Sequence, residues 1–135
     1  MEKPKILVID DDPDFAESLK IFLEANDYEA HIAENGTNGF KLIREIHPDL
    51  IILDVMMDTI TEGFQVSYQL RSQDPSSEYR KFSKIPIIML TGISKKMHMK
   101  LSKKKDDEYL PVDEFVEKPI RFEALLEKVK KLLKK

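Results

Sequence analysis

The chain has no cysteine. Disulfides, thiolate nucleophiles and zinc–thiolate sites are therefore excluded, and a reducing compartment is the natural fit. It also has no run of about 18 or more apolar residues, the length a membrane-spanning helix needs. The amino terminus, Met1-Glu2-Lys3-Pro4, leads into a short aliphatic run that ends in acids. It lacks the longer apolar stretch and small-residue cleavage site of a signal peptide. Cytoplasmic localisation, with no membrane association, is the expectation. There is also no surplus of basic charge: 22 Lys and Arg face 25 Asp and Glu, a net charge of −3, which gives no footprint for direct DNA binding. Internal repeats and low-complexity linkers are missing too. At 135 residues the expectation is one domain over 1–135, with no output domain. A chain of this length can bury about two-thirds of its unfolded surface and needs no staples.

What the chain does have is charge, unevenly placed. Charged residues make up 35% of it, above the usual quarter. Lys95, Lys96, Lys100, Lys103, Lys104 and Lys105 run directly into Asp106, Asp107 and Glu108. A solvated helix face with its flanking loop accounts for such a run, and a docking surface is the alternative.

Five short apolar runs stand out, at 6–9, 30–33, 50–53, 85–90 and 115–116. The first, third and fourth are nearly unbroken and rich in Ile, which suits strands buried on both faces of a parallel sheet. The second alternates and suggests an edge strand. Helical patterns lie between them. Phe15, Leu19, Phe22 and Leu23 form a stripe after Asp12-Pro13, a carboxylate N-cap with proline at the first helical position. Phe40, Ile43 and His47 form a shorter one after Asn35-Gly36, and Phe64, Tyr68 and Arg71 follow Glu62-Gly63. The clearest, Phe122, Leu125, Leu126, Val129, Leu132 and Leu133, starts after Pro119 and ends in lysines, as the helix dipole favours. Strand and helix alternate five times, which predicts an α/β fold with right-handed crossovers.

In open parallel sheets ligands bind beyond the carboxyl ends of the strands. The residues there are polar or ionisable: Asp10 and Asp11 after the first run, Asp54 after the third, Thr91-Gly92 after the fourth, and Lys118-Pro119 after the fifth. Any one of them has an ordinary explanation as a cap or turn residue. Taken together they converge on one patch. Adjacent carboxylates repel, and a hard divalent ion such as Mg²⁺ relieves the repulsion while leaving room for a phosphoryl oxygen. A carboxylate held against such an ion can act as a nucleophile. A lysine and a threonine hydroxyl could bind the remaining phosphoryl oxygens. Asp12 reads as the helix cap rather than a metal ligand.

The segments "KILVIDDDPDF", "DLIILDVMM", "IPIIMLTG" and "DEFVEKPI", in this order, resemble the receiver domain of two-component response regulators over about residues 3–133. The resemblance implies a flavodoxin-like three-layer (βα)5 sandwich with a five-stranded parallel sheet of order 2-1-3-4-5. It implies that Asp54 accepts a phosphoryl group from a sensor histidine kinase or phosphotransfer protein. Asp10, Asp11, Asp54 and the backbone carbonyl of Met56 would hold Mg²⁺. Thr91 and Lys118 would bind the phosphoryl group, Phe115 would be the aromatic switch, and Gly92 would keep the site open. The Lys118–Pro119 peptide would be cis. The face made by the fourth helix, fifth strand and fifth helix would report the change to a downstream protein target, and no catalysis on other substrates is implied.

Three features depart from the family pattern. Asp58 stands where proline is usual, in a loop one residue longer up to Gly63. Residues 72–84 and 93–112 make long connections. Separately from these three departures, Met56 and Ile93 occupy positions that tune acyl-phosphate hydrolysis in the family, and both are apolar, which predicts a long-lived phosphoform. Other readings are a phosphate relay or sink, a receiver-like binding module that is never phosphorylated, and a phosphatase of the haloacid-dehalogenase type. In the last, Asp10 would be the nucleophile and Asp12 the acid/base. Asp14 breaks that motif, and the acids at 106 and 107 do not follow a strand.

Overall fold

A computed structural model describes residues 3–55, 84–91, 114–117 and 120–133. Five strands, β1 (Lys5–Ile9), β2 (Glu29–Ala33), β3 (Leu50–Val55), β4 (Ile87–Thr91) and β5 (Glu114–Glu117), form one sheet of order β2-β1-β3-β4-β5. Every neighbouring pair is parallel. Three helices accompany them: α1 (Pro13–Ala25), α2 (Gly36–Ile46) and α3 (Phe122–Leu133), the last helix expected from the sequence. The helix expected near Phe64–Arg71, the lysine run 95–105, the long connection 72–84 except for Lys84, and the connection 93–112 lie outside the described residues.

The buried residues sort by strand parity. Ile6, Val8, Leu50, Ile52, Ile88 and Leu90 pack with Ala16, Leu19 and Leu23 of α1 and with Leu125 and Val129 of α3. Leu7, Ile9, Ile51, Leu53, Ile87 and Met89 pack on the other face, with Ile43 of α2. This two-sided burial explains why the first, third and fourth runs read as continuous rather than alternating. Each fully buried Ile or Leu contributes about 1.5–3 kcal/mol relative to exposure. The alternating β2 is the sheet edge, as its pattern implied. There Glu29 and His31 are joined by a 2.7 Å hydrogen bond, which holds the Glu29 carboxyl below its ordinary value. Charge on an edge strand discourages pairing with a second sheet.

The ends of α1 are set by local chemistry. Asp12 accepts from the backbone N–H groups of Asp14 and Phe15, and Pro13 starts the helix. At the other end Tyr28 N–H donates to Leu23 O at 3.1 Å and Asp27 N–H to Glu24 O at 3.3 Å. Asp27 sits between them in the left-handed region at φ 73°. This is a Schellman stop with aspartate in the place glycine usually takes.

Two sequence expectations change. His47 does not continue the stripe of Phe40 and Ile43. It is exposed and caps α2 in the left-handed region, φ 52°, donating its N–H to Ile43 O at 3.0 Å. On α1 the deep positions are Ala16, Leu19 and Leu23, whereas Phe15 and Phe22 are only half buried. Both phenylalanines pack on Phe122, with ring centroids 5.8 and 5.1 Å away, and so join α1 to α3.

Candidate phosphoacceptor and metal site

The chain runs up β1, crosses to the edge as β2, then returns past β1 to form β3. The strand order therefore reverses between β1 and β3, and their carboxyl ends make the crevice where this fold class binds ligands. The register fixes what stands there. Ile9 pairs with Leu53, so the next residues, Asp10 and Asp54, emerge side by side. Parity puts both on the face covered by α1 and α3. One strand further on, Asp54 pairs with Leu90 and Val55 with Thr91, and Thr91 in turn pairs with Glu117 at the end of β5.

The two carboxylates differ in environment. Asp54 is half buried. Asp10 is only 4% exposed, the one buried charged residue among those described. Its backbone N–H donates to Ala33 O at 2.9 Å, which carries the β1–β2 ladder one residue past the strand. Its Oδ1 accepts from the N–H of Asp12 at 2.9 Å. Its Oδ2 is buried and makes no hydrogen bond of ordinary geometry. Burial pushes the Asp10 carboxyl up to about 7, the Asp12 N–H opposes this, and the nearby Asp54 carboxyl raises it further.

A buried carboxylate oxygen without a partner, beside a second carboxylate, is costly unless something positive arrives. Hard oxygen donors of this kind suit Mg²⁺, which takes one or two carboxylates and fills its remaining positions with water and a phosphoryl oxygen. Asp11 is exposed, and among the described residues no three acidic or imidazole side chains are grouped closely enough to form a metal cluster by themselves. The register sets Asp10 and Asp54 side by side, and Asp11 follows Asp10 on the exposed side.

Of the other expected residues, Thr91 lies at the carboxyl end of β4, and Phe115 lies within β5 opposite Met89. Met56, Gly92, Lys118 and Pro119 lie outside the described residues. Asp12 has a position that the sequence reading grasped only in part. It caps α1, and its N–H also holds Asp10. Gly39 was missed. A Cβ there would meet Ile9 Cδ1 at 2.6 Å, so glycine lets α2 seat against the strand that carries Asp10. Its signal was a glycine inside a helical pattern, which often marks a close approach.

Among the described residues no helix is long and apolar enough to cross a membrane. Comparison with known proteins gives the family. The response regulator receiver domain matches residues 6–130. The DNA-binding dual master transcriptional regulator RpaA of Synechocystis sp. is 32% identical over 132 residues, spanning 98% of this chain and 50% of RpaA. The response regulator MprA of Mycobacterium sp. (strain KMS) is 32% identical over 131 residues, spanning 97% of this chain and 51% of MprA. The chain spans about half the length of the curated relatives it matches. Among solved structures, the receiver domain of a signal transduction histidine kinase from Syntrophus aciditrophicus superposes with a TM-score of 0.76 at 30% identity, covering 97% of this chain and 90% of that one. The receiver domain of Francisella response regulator 1452 gives a TM-score of 0.77 at 26% identity, with 98% of each chain covered. A family match that takes in β1 through most of α3, on a sheet whose order reverses where two carboxylates meet, makes this chain a member of the receiver domain family of two-component response regulators.

Proposed function

We propose that Asp54 is the phosphoacceptor of this switch and that Asp10, with Asp11 and the Met56 carbonyl, completes its Mg²⁺ site. The observation that carries the reading is the Ile9–Leu53 register, which sets Asp10 and its unpartnered Oδ2 beside Asp54. Asp54 is half exposed and within reach of a donor, whereas Asp10 is buried and suited to holding a charge. An oxygen of the Asp54 carboxylate attacks phosphorus, the bond to the donor's imidazole nitrogen breaks, and the imidazole leaves. When bound, Mg²⁺ supplies charge neutralisation between the carboxylates and the incoming phosphoryl oxygens. Asp10 fixes the geometry of that charge, while the Thr91 hydroxyl and the Lys118 ammonium take the remaining oxygens. The phosphoryl group adds nearly two negative charges, and the movement of Thr91 and Lys118 toward them makes room for Phe115. The ratio of the two states is the signal.

The donor is a sensor histidine kinase or a phosphotransfer protein in the cytoplasm, and the output is read by a protein target or passed along a phosphorelay. RpaA is named for DNA binding, but it is about twice as long as the region matched here. With a net charge of −3, we read this domain's own contacts as protein contacts. The chain acts on its own aspartate and on no other substrate.

The test is intact mass after incubation with acetyl phosphate and Mg²⁺. One added phosphoryl group, lost in Asp54→Ala and in EDTA, supports the reading. Addition that survives Asp54→Ala but not Asp10→Ala overturns it in favour of Asp10 as nucleophile.

A further inference from the structure

Asp12 is exposed and is not one of the ligands proposed above, yet two hydrogen-bond systems meet at it. Its side chain accepts from Asp14 N–H at 3.1 Å and from Phe15 N–H at 3.3 Å, closing the first turn of α1. Its own N–H donates to Asp10 Oδ1 at 2.9 Å. The cap thus fixes the peptide whose N–H fixes Asp10. One oxygen of Asp10 is satisfied by that bond, and the other, Oδ2, is left buried and unpartnered. If the carboxyl were free to rotate, both oxygens would share the N–H, and neither would be committed to a ligand.

From this arrangement we infer that Asp12 is a positioning residue for the metal: its capping of α1 holds the Asp12 N–H on Asp10 Oδ1 and so reserves Oδ2 for the cation. The inference rests on the reading of Asp10 as a Mg²⁺ ligand. It makes the first turn of α1 a part of the metal site. Ordering of that turn and binding of the ion then favour one another, because a ligand gains whatever affinity preorganisation supplies. The gain has a ceiling, since the coupling cannot exceed the worth of the cap itself.

Two explanations of any effect must be separated. Asp12 also carries a negative charge near the site, and charge alone attracts a cation. Asp12→Ser keeps a capping oxygen and removes the charge, whereas Asp12→Ala removes both. Mg²⁺ affinity is measured by titrating MgCl₂ into each purified protein and following backbone amide shifts by NMR. Thermal unfolding in EDTA is recorded alongside.

The expected result is that Asp12→Ala binds Mg²⁺ about fivefold more weakly than Asp12→Ser, the fold-change that loss of a typical cap corresponds to. The backbone amide resonance at position 12 should respond to Mg²⁺ in the serine variant and shift less in the alanine variant. Equal affinities in the serine and alanine variants overturn the inference, because charge then accounts for everything. A lower unfolding temperature in Asp12→Ala with unchanged Mg²⁺ affinity also overturns it, since the cap is then structural only. If the wild-type protein binds no Mg²⁺, the metal-site reading itself falls.

Discussion

Asp10→Asn should stabilise the metal-free protein, and the gain should grow with pH. Asp10 is 4% exposed and its carboxyl is pushed up to about 7, chiefly by burial and further by Asp54, against an ordinary value of 3.8. The folded protein therefore keeps a proton that the unfolded chain has lost across the interval between those values. Where the folded state binds more protons, stability falls as pH rises. The interval, at about 1.4 kcal/mol per pH unit, makes the ionised form cost about 4 kcal/mol above pH 8. Asparagine stays neutral throughout. Relative to wild type in EDTA, it should gain about 2 kcal/mol at pH 5 and about 4 kcal/mol at pH 8. Carboxylates remote from Asp10 titrate alike in both proteins and cancel in the difference, whereas Asp54 titrates together with Asp10 and is part of the effect measured. Urea unfolding at the two pH values measures it, and at pH 8 the melting temperature should rise by about 10 °C or more. A gain of the same size at pH 5 and pH 8, or none at pH 8, would refute the claim that a buried, uncompensated charge sits at Asp10.

Other residues give sharper local tests. Gly39→Ala should lose about 1–2 kcal/mol in urea unfolding, because the new Cβ meets Ile9 Cδ1 at 2.6 Å. In an Ile9→Val background, which deletes that atom but keeps the Cγ1 position 3.1 Å away, the loss should shrink, as helix propensity then offsets more of it. Asp27→Gly should raise stability by about 1 kcal/mol, read by thermal unfolding, because φ 73° suits glycine at the end of α1. Phe122→Ala should lose about 2–3 kcal/mol in urea unfolding, since its ring carries the contacts of both Phe15 and Phe22. Met56→Asn should shorten the lifetime of the phosphoform, followed by loss of the added mass after the phosphodonor is removed.

The sequence carried the sheet because hydrophobic runs and their terminal acids are local signals. The segment 50–54 reads as a buried strand ending in aspartate whichever partner it has. The strand order was available only through the resemblance, since nothing in 30–33 says which neighbour it pairs with beyond its edge-like alternation. His47 misled because spacing alone cannot separate the last turn of a helix from its cap. The left-handed backbone there is a property of φ and ψ, not of periodicity. Phe15 and Phe22 misled in the opposite sense. Their place in the stripe set them level with Leu19 and Leu23, but Ala16 is buried instead, and the two rings pack on Phe122. The difference in burial between Asp10 and Asp54 was not legible in the residues either. Burial and an oxygen without a partner are products of packing, and two aspartates look alike on paper.

At the end of the sheet away from the acids, the Lys5 N–H donates to Asp49 Oδ2 at 2.8 Å, and the Asp49 N–H donates to Lys5 O at 2.7 Å. This pair works like the zero mark on a ruler. From it β1 and β3 count off residues in step, and about 16 Å away, at about 3.3 Å per residue, the tally ends with Asp10 level with Asp54. A miscount of one would set a valine or a leucine against Asp10 and turn every β3 side chain to the opposite face. The alignment of the acids is thus calibrated from a surface aspartate at the opposite end of the sheet. A genetic screen for lost signalling should therefore return Asp49 alongside the acids themselves.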